Sequence, residues 1–205
     1  MSFLNKLKNK YDAKMIIGSP LRVDFFNHKI QDSSEANKQA AADITKMKHS
    51  TLKELPEGKL LACYDALILV TKDSEFPIKF FCAWKHILVM KKPAIESAFI
   101  WCDEKSRSVR VDQMPIGAYC LFEYLIPKYK IVVSANEHTA DGERFEKNQI
   151  KHALAKNIFV YIKDEHNQFY QRDDPSTIIN AEDVFWGYMP ENKQRVFVYS
   201  TENLF

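Results

Sequence analysis

Three long runs of apolar, aromatic and β-branched residues dominate the middle of the chain. They are LLACYDALILV at 60–70, FPIKFFCAWKHILVM at 76–90 and ESAFIWCDE at 96–104, and short charged segments separate them. Runs of this composition are typical of β-strands. Because apolar and polar residues do not alternate strictly, we predict consecutive antiparallel strands that are covered on both faces.

Strands and helices alternate after this meander. A helix is predicted from about Pro115 to Leu125, because proline suits a first helical position, and Pro127 should stop or kink it. KIVVS at 130–134 is a short buried strand, 142–156 is an amphipathic helix, and IFVYIKD at 158–164 is another strand. Parallel neighbours need a connection of a dozen or more residues, so the first helical crossover predicts a parallel strand pair.

The flanking segments carry weaker patterns. Two short strands are predicted at 15–17 and 21–26, a surface helix at about 35–48, and a last strand in RVFVYS at 195–200. No repeat or linker interrupts the 205 residues, which is a length that one core can serve. We therefore predict a single α/β domain of the α+β type over 1–205, with a mixed, mainly antiparallel central sheet flanked by helices and a core at about 58–165.

One core should join the strands on either side of the predicted crossover. Phe99, Ile131, Val133 and Phe159 are large apolar residues at the centres of three predicted strands. We expect them to pack together on adjacent strands.

The four cysteines stand singly inside apolar runs, at Cys63, Cys82, Cys102 and Cys120. This spacing favours buried, reduced thiols over zinc ligation or a disulfide framework. The histidines are scattered, without the spacing of a metal-binding pair, so no metal is expected.

The charge is balanced, at +2 from 29 Lys and Arg against 27 Asp and Glu. No field of one sign is available to gather nucleic acid or anionic lipid, which makes nucleic acid an unlikely partner. No stretch reaches the length of a membrane-spanning helix, and the first residues lack the apolar core of a secretory signal. These patterns predict a cytoplasmic protein without a membrane partner.

The order of a strand meander, polar loop, helix, strand, helix and strand across about 58–165 resembles that of GNAT-type N-acyltransferases. The segment YKIVVSANEHTADGERF at 129–145, with the amphipathic helix that follows, is also similar to acyltransferase-like proteins of tailed bacteriophages. The resemblance implies a GNAT-like fold, acetyl-CoA or another acyl-CoA as cofactor, and transfer of the acyl group to an amine. It also implies a bacterial host cytoplasm, or a virion, as the location.

In this family a [QR]-x-x-G-x-[GA] loop at a helix start holds the pyrophosphate of the cofactor through backbone N–H groups. The matching stretch is QMPIGA at 113–118, in which the glycine falls one place late and Pro115 has no N–H. The resemblance implies that the cofactor-binding residues are Arg107, Arg110, Val111, Gln113, Ile116 and Gly117.

The family also implies a glutamate that deprotonates the amine, often through water, and a tyrosine in the second helix that protonates the leaving thiolate. Glu96, Glu137 and His138 are the candidate catalytic residues, because they lie where the two strands should splay. No tyrosine occurs between 140 and 156.

A second hypothesis therefore stays open, in which a catalytically inactive GNAT-like protein acts by binding another protein, as a phage virion component or as an inhibitor of a host protein. The aromatic residues Phe185, Trp186 and Tyr188 in the polar tail would be its binding surface.

Overall fold

The computed structural model describes residues 30, 33–103, 109–134, 140–163, 169–171 and 196–205. The fold is mixed α+β, with a large, mainly antiparallel sheet and few helices. The chain divides into two compact units. The first contains residues 1–85 and 99–108, and the second contains residues 86–98 and 109–205. The strands predicted at 15–17 and 21–26 lie outside the described residues.

The first unit is a meander with one helix. Its elements are α1 (Ser34–Lys46), β1 (Ser50–Leu55), β2 (Gly58–Cys63), β3 (Ala66–Thr71), most of β4 (Ile78–Val89) and the last residues of β5 (Lys92–Cys102). Antiparallel pairing joins β1 to β2, β2 to β3 and β3 to β4, so the predicted meander is confirmed.

Two details of the meander differ from the sequence-based prediction. LLACYDALILV is not one strand, because Tyr64, at φ 52°, and Asp65 form a tight turn between β2 and β3. The strand β1 was not predicted, because its residues STLKEL form no apolar run and none of them is fully buried.

The predicted surface helix is confirmed as α1. Its N-cap is Ser33, whose hydroxyl accepts the N–H of Ala36 at 3.2 Å. The buried Asn37 ties this helix to β4, since its amide group donates to the carbonyls of Ile30 and Ile78 at 3.1 and 3.2 Å. Its side-chain oxygen also accepts the N–H of Ile78 at 2.8 Å.

The second unit contains the crossover. Besides the ends of β4 and β5, its elements are the hairpin β6 (Arg110–Val111) and β7 (Met114–Pro115), the helix α2, β8 (Ile131–Val133), α3 (Ala140–Ala155), β9 (Phe159–Lys163), β10 (Phe169–Gln171) and β11 (Val196–Ser200). The helix α2 has three consecutive segments, which are Ile116–Tyr119, the π-helical Cys120–Leu125 and Ile126–Tyr129.

The predicted parallel pair is confirmed. β5 and β8 run parallel, with Ile95 opposite Val132 and Glu96 opposite Val133. β11 pairs antiparallel with both β8 and β9, so it lies between them. Phe159 packs against the core that contains Ile131 and Val133, as predicted. The prediction that their strands are adjacent is wrong, because β11 lies between β8 and β9. The side chain of Phe99 lies outside the described residues.

Pro127 does not stop α2, which continues to Tyr129. A proline lacks the N–H of a regular helical turn, and its ring displaces the carbonyl four residues before it. Here that carbonyl belongs to Glu123 and lies in the π-helical segment, where the wider turn leaves room. Tyr129 is the last residue of the helix, and Lys130, which has φ 67°, is its C-cap.

All four cysteines are free. Cys63, Cys82 and Cys120 are buried and Cys102 is half-buried, which agrees with the prediction. Burial raises the pKa of the Cys82 thiol to about 12, and it also raises the pKa of Cys63.

Candidate functional site

The predicted pyrophosphate loop is a tight β-hairpin followed by a helix. Arg110 pairs with Pro115 and Val111 with Met114. The two residues between them, Asp112 and Gln113, have φ values of 50° and 69°, as a two-residue type I′ turn requires. Arg110 and Gln113 are exposed, whereas the side chain of Val111 is fully buried and cannot contact a ligand itself.

The start of α2 follows this hairpin directly. Pro115 is its N-cap and makes no side-chain capping hydrogen bond. The N–H of Ile116 donates to the carbonyl of Val109 at 3.3 Å. A pyrophosphate could bind this amide only if that hydrogen bond were broken. The predicted role of Ile116 in cofactor binding therefore competes with a contact inside the protein.

Packing alone explains why residue 117 is a glycine, independently of any ligand. A Cβ at this position would lie 2.8 Å from Cε2 and 3.0 Å from Cζ of Phe145, on α3. Real Cβ atoms do not approach carbon so closely, which means that glycine allows α2 and the Phe145 ring to meet.

A buried polar group lies where the parallel pair ends. The β5–β8 pairing stops at Glu96 and Val133, and the next residue of β8, Ser134, exchanges two hydrogen bonds with Phe197 of β11 instead. Ser97, the next residue of β5, is 7% exposed, and its hydroxyl has no hydrogen-bond partner among the residues that the structure describes. A buried hydroxyl without a partner is unfavourable and therefore marks a position where a ligand or water could bind.

Glu96 and Ser97 belong to opposite faces of the sheet. Residues paired across neighbouring strands share a face, and so do residues two apart along a strand. Glu96 is opposite Val133, a residue of the core, whereas Ser97 follows Ile95 on the other face. The structure therefore does not bring Glu96 and Ser97 together.

The Ser97 face carries an acid–phenol pair that the sequence analysis missed. The hydroxyl of Tyr199 on β11 donates to the carboxyl of Glu146 on α3 at 2.6 Å. Burial raises the pKa of Glu146 to about 7, although the bond from Tyr199 opposes the shift. Burial and the Glu146 charge raise the pKa of Tyr199 well above its usual value, so the phenol stays protonated.

The pair is enclosed by neighbouring side chains. Glu146 is 5% and Tyr199 is 1% exposed, and the ring of Phe122 on α2 packs edge-on against Tyr199. One turn along α3, Gln149 is 3% exposed and its side-chain oxygen has no hydrogen-bond partner. This arrangement anchors α3 to β11, and it does not offer the carboxyl to a substrate.

A sequence signal for this pair exists in the inward positions of α3. Glu146, Ile150 and Ala153 are spaced by four and three residues, which is the spacing of one helix face, and all three are buried. A glutamate at such a position predicts a buried carboxyl with a hydrogen-bond partner.

Several predicted site residues lie outside the described residues. They are Arg107, Glu137, His138, Phe185, Trp186 and Tyr188. Within the described ranges no group of three or more His, Cys, Asp or Glu side chains is placed to hold a metal ion.

A shallow, open depression of about 530 Å³ lies elsewhere, along α1. It is lined by Ser34, Glu35, Lys38, Gln39 and Ala42. Two of these side chains already bind Glu75 of the first unit, Ser34 at 2.8 Å and Lys38 at 3.0 Å. The depression is a solvated helix surface and brings no reactive groups together.

Comparison with known proteins gave no match to a family model, to a curated protein or to a solved structure. None of the described helices is long and apolar enough to cross a membrane.

Proposed function

We propose that the chain is a GNAT-like N-acyltransferase that binds an acyl-CoA where the parallel pairing of β5 and β8 stops, and that it modifies an amine. The observation that carries this proposal is the parallel β5–β8 pair, which ends beside the buried, unpartnered hydroxyl of Ser97. We propose that an extended ligand beside this hydroxyl also reaches the uncapped start of α2 and the exposed Arg110.

The chemistry of the proposal is a simple exchange of bonds. The amine nitrogen attacks the thioester carbonyl, a carbon–nitrogen bond forms, and the carbon–sulfur bond breaks. The amine loses a proton to a base, and the departing thiolate gains one. Glu137 and His138 are the proposed bases, whereas the prediction for Glu96 does not fit this site, because Glu96 lies on the opposite face of the sheet from Ser97. The proposed location is the cytoplasm of a bacterial host, or a virion.

A second function is favoured by a different observation. The Ile116 amide already has an acceptor, Pro115 has no N–H, and Gly117 is explained by the Phe145 ring. These contacts support a GNAT-like protein that has lost the cofactor site and acts by binding another protein, with Phe185, Trp186 and Tyr188 as its proposed surface.

Calorimetric titration with acetyl-CoA separates the two functions. If Ser97 contacts the ligand, Ser97→Ala should weaken acetyl-CoA binding by about 0.5–1.5 kcal/mol, the usual contribution of one hydrogen bond. The thermal midpoint should not fall, because the variant removes a buried hydroxyl that has no partner. Arg110→Ala should weaken binding by about 1.5–3 kcal/mol if it contacts phosphate.

Lys48→Ala is the matched control, since it removes an exposed cation from the first unit. If the unaltered protein shows no heat at millimolar acetyl-CoA, the acyltransferase proposal fails and the protein-binding function replaces it. If it binds but neither Ser97→Ala nor Arg110→Ala weakens binding, the ligand occupies another site and the proposed placement is wrong.

A further inference from the structure

Lysines gather at the amino ends of β5 and β8, away from Ser97, which lies at the middle of β5. Lys91 and Lys92 lie at the start of β5, and Lys128 and Lys130 lie at the end of α2, just before β8. Because the strands are parallel, the register of Ile95 with Val132 places both pairs of lysines at one edge.

The charge at this edge is largely uncompensated. Lys92 binds Glu202 at 3.4 Å. Lys91, Lys128 and Lys130 are exposed, and none of them forms an ion pair with a carboxylate in the part of the chain that the structure describes. The ammonium of Lys128 donates to the hydroxyl of Tyr124 at 3.0 Å, so Lys91 and Lys130 are the exposed cations that favour an acidic ligand.

Two exposed apolar side chains lie among these lysines. Leu88 is 71% exposed near the end of β4, and Met90 is 45% exposed in the following turn. His86 is on the same face of β4 as Leu88, and its ring contacts Tyr129 of α2 with 5.7 Å between ring centroids. Leu88 therefore lies beside the end of α2. We name the surface formed by Leu88, Met90, Lys91, Lys128 and Lys130 the lysine edge.

We propose that the lysine edge binds a protein segment in which carboxylates flank an aliphatic or aromatic side chain. The apolar group would cover Leu88 and Met90, and the carboxylates would pair with the ammonium groups of Lys91 and Lys130. A second copy of the chain fits poorly, because a two-fold contact through this surface would bring like charges together.

Two other anionic ligands suit the surface less well. The ammonium of Lys128 lies 5.0 Å from the ring centroids of both Tyr124 and Tyr129, so these rings do not offer free faces on which nucleotide bases could stack. Binding to an anionic bilayer scales with the apolar area that inserts into it, and this surface offers two apolar side chains, Leu88 and Met90.

Selection from a library of short random peptides tests the proposal with the full chain. The unaltered protein is the bait, and the triple variant Leu88→Ser, Lys91→Glu, Lys130→Glu removes peptides that bind elsewhere. We expect enrichment of peptides that combine acidic with apolar residues. The affinity of a synthetic peptide from this set, measured by fluorescence anisotropy, should fall about tenfold or more in the double variant Lys91→Glu, Lys130→Glu. Lys151→Glu, an exposed lysine of α3, is the control and should leave the affinity unchanged.

Three results would overturn the proposal. They are the absence of enriched peptides, enriched peptides that carry no excess of acidic residues, and peptides that bind the folded triple variant as well as the unaltered protein. Circular dichroism checks that the variants fold, and Lys91→Ala with Lys130→Ala replaces the charge reversals if they do not. A last outcome is that the unaltered protein binds phosphatidylserine vesicles or oligothymidine but no peptide, and that the triple variant loses this binding. The surface would then be assigned to lipid or nucleic acid instead.

Discussion

Glu146 should make the stability of this protein fall as the pH rises through neutrality. Its pKa is raised by burial from 4.5 to about 7, so the folded state holds the proton more tightly than the unfolded state. For such a group the stabilisation is complete below the unfolded value and is lost as the pH rises through the folded value. Replacing Glu146 with glutamine removes the titration but retains an oxygen that can accept the hydrogen bond from Tyr199.

The size of the effect follows from the two pKa values. One pKa unit corresponds to about 1.4 kcal/mol, so the full shift contributes about 3 kcal/mol to the free energy of unfolding at acidic pH. Between pH 5 and pH 8 the contribution of Glu146 should fall by about 2 to 3 kcal/mol, with the slope flattening above pH 7. The Glu146→Gln variant should lack this loss, and its stability relative to the unaltered protein should rise with pH.

Urea unfolding of both proteins at a series of pH values measures this difference directly, because titrations that both proteins share cancel. Glu54→Gln, a surface carboxyl of β1, controls for the loss of one negative charge. Tyr199→Phe should shift the loss of stability to higher pH, because the hydrogen bond from Tyr199 lowers the pKa of Glu146. A difference between Glu146→Gln and the unaltered protein that stays constant from pH 5 to pH 8 would refute the reasoning.

Two further predictions concern packing and buried hydrogen bonds. Gly117→Ala should destabilise the unaltered protein by about 1 kcal/mol through its contact with Phe145, but in a Phe145→Ala background it should stabilise by about 0.5–1 kcal/mol, because alanine favours the helix. Chemical denaturation of all four proteins checks this reversal of sign, and an equal effect in both backgrounds would contradict it. Asn37→Ala should destabilise by about 2–4 kcal/mol, because it leaves buried groups of Ile78 without partners, and the loss should exceed that for Gln39→Ala, an exposed amide of the same helix.

The sequence predicted the elements that carry strong apolar patterns. The meander, α1, the parallel β5–β8 pair and the final strand β11 all followed from such patterns. The strand β1 was missed because its residues form no apolar run. The turn at Tyr64 was missed because it contains neither glycine nor proline, and only pairing across the hairpin holds this residue at positive φ. The position of β11 between β8 and β9 depends on contacts between distant segments, which local patterns do not encode.

The candidate site was less predictable for a related physical reason. A motif match singled out Gly117, but packing against Phe145 requires a glycine there. A single sequence cannot distinguish a glycine required by packing from one required by a bound ligand. Ser97 was invisible because a serine in an apolar strand signals nothing until its hydroxyl is known to be buried without a partner. Glu146 was missed because a glutamate in a helix is usually solvated, and the burial that raises its pKa arises only when α3 packs on β11.

The two proposed sites lie at the amino end and at the middle of the same strand, and this separation makes their tests independent. Five residues separate Lys92 from Ser97 along β5, which corresponds to about 17 Å at the usual rise of a strand. Sites that far apart, with no shared side chain, should behave additively. The lysine-edge variants should therefore bind acetyl-CoA as the unaltered protein does, and Ser97→Ala should bind the selected peptide with unchanged affinity. If acetyl-CoA binding instead changed with Lys130→Glu, the phosphates of the ligand would have to reach the lysine edge, and the placement of the cofactor beside Arg110 would be wrong.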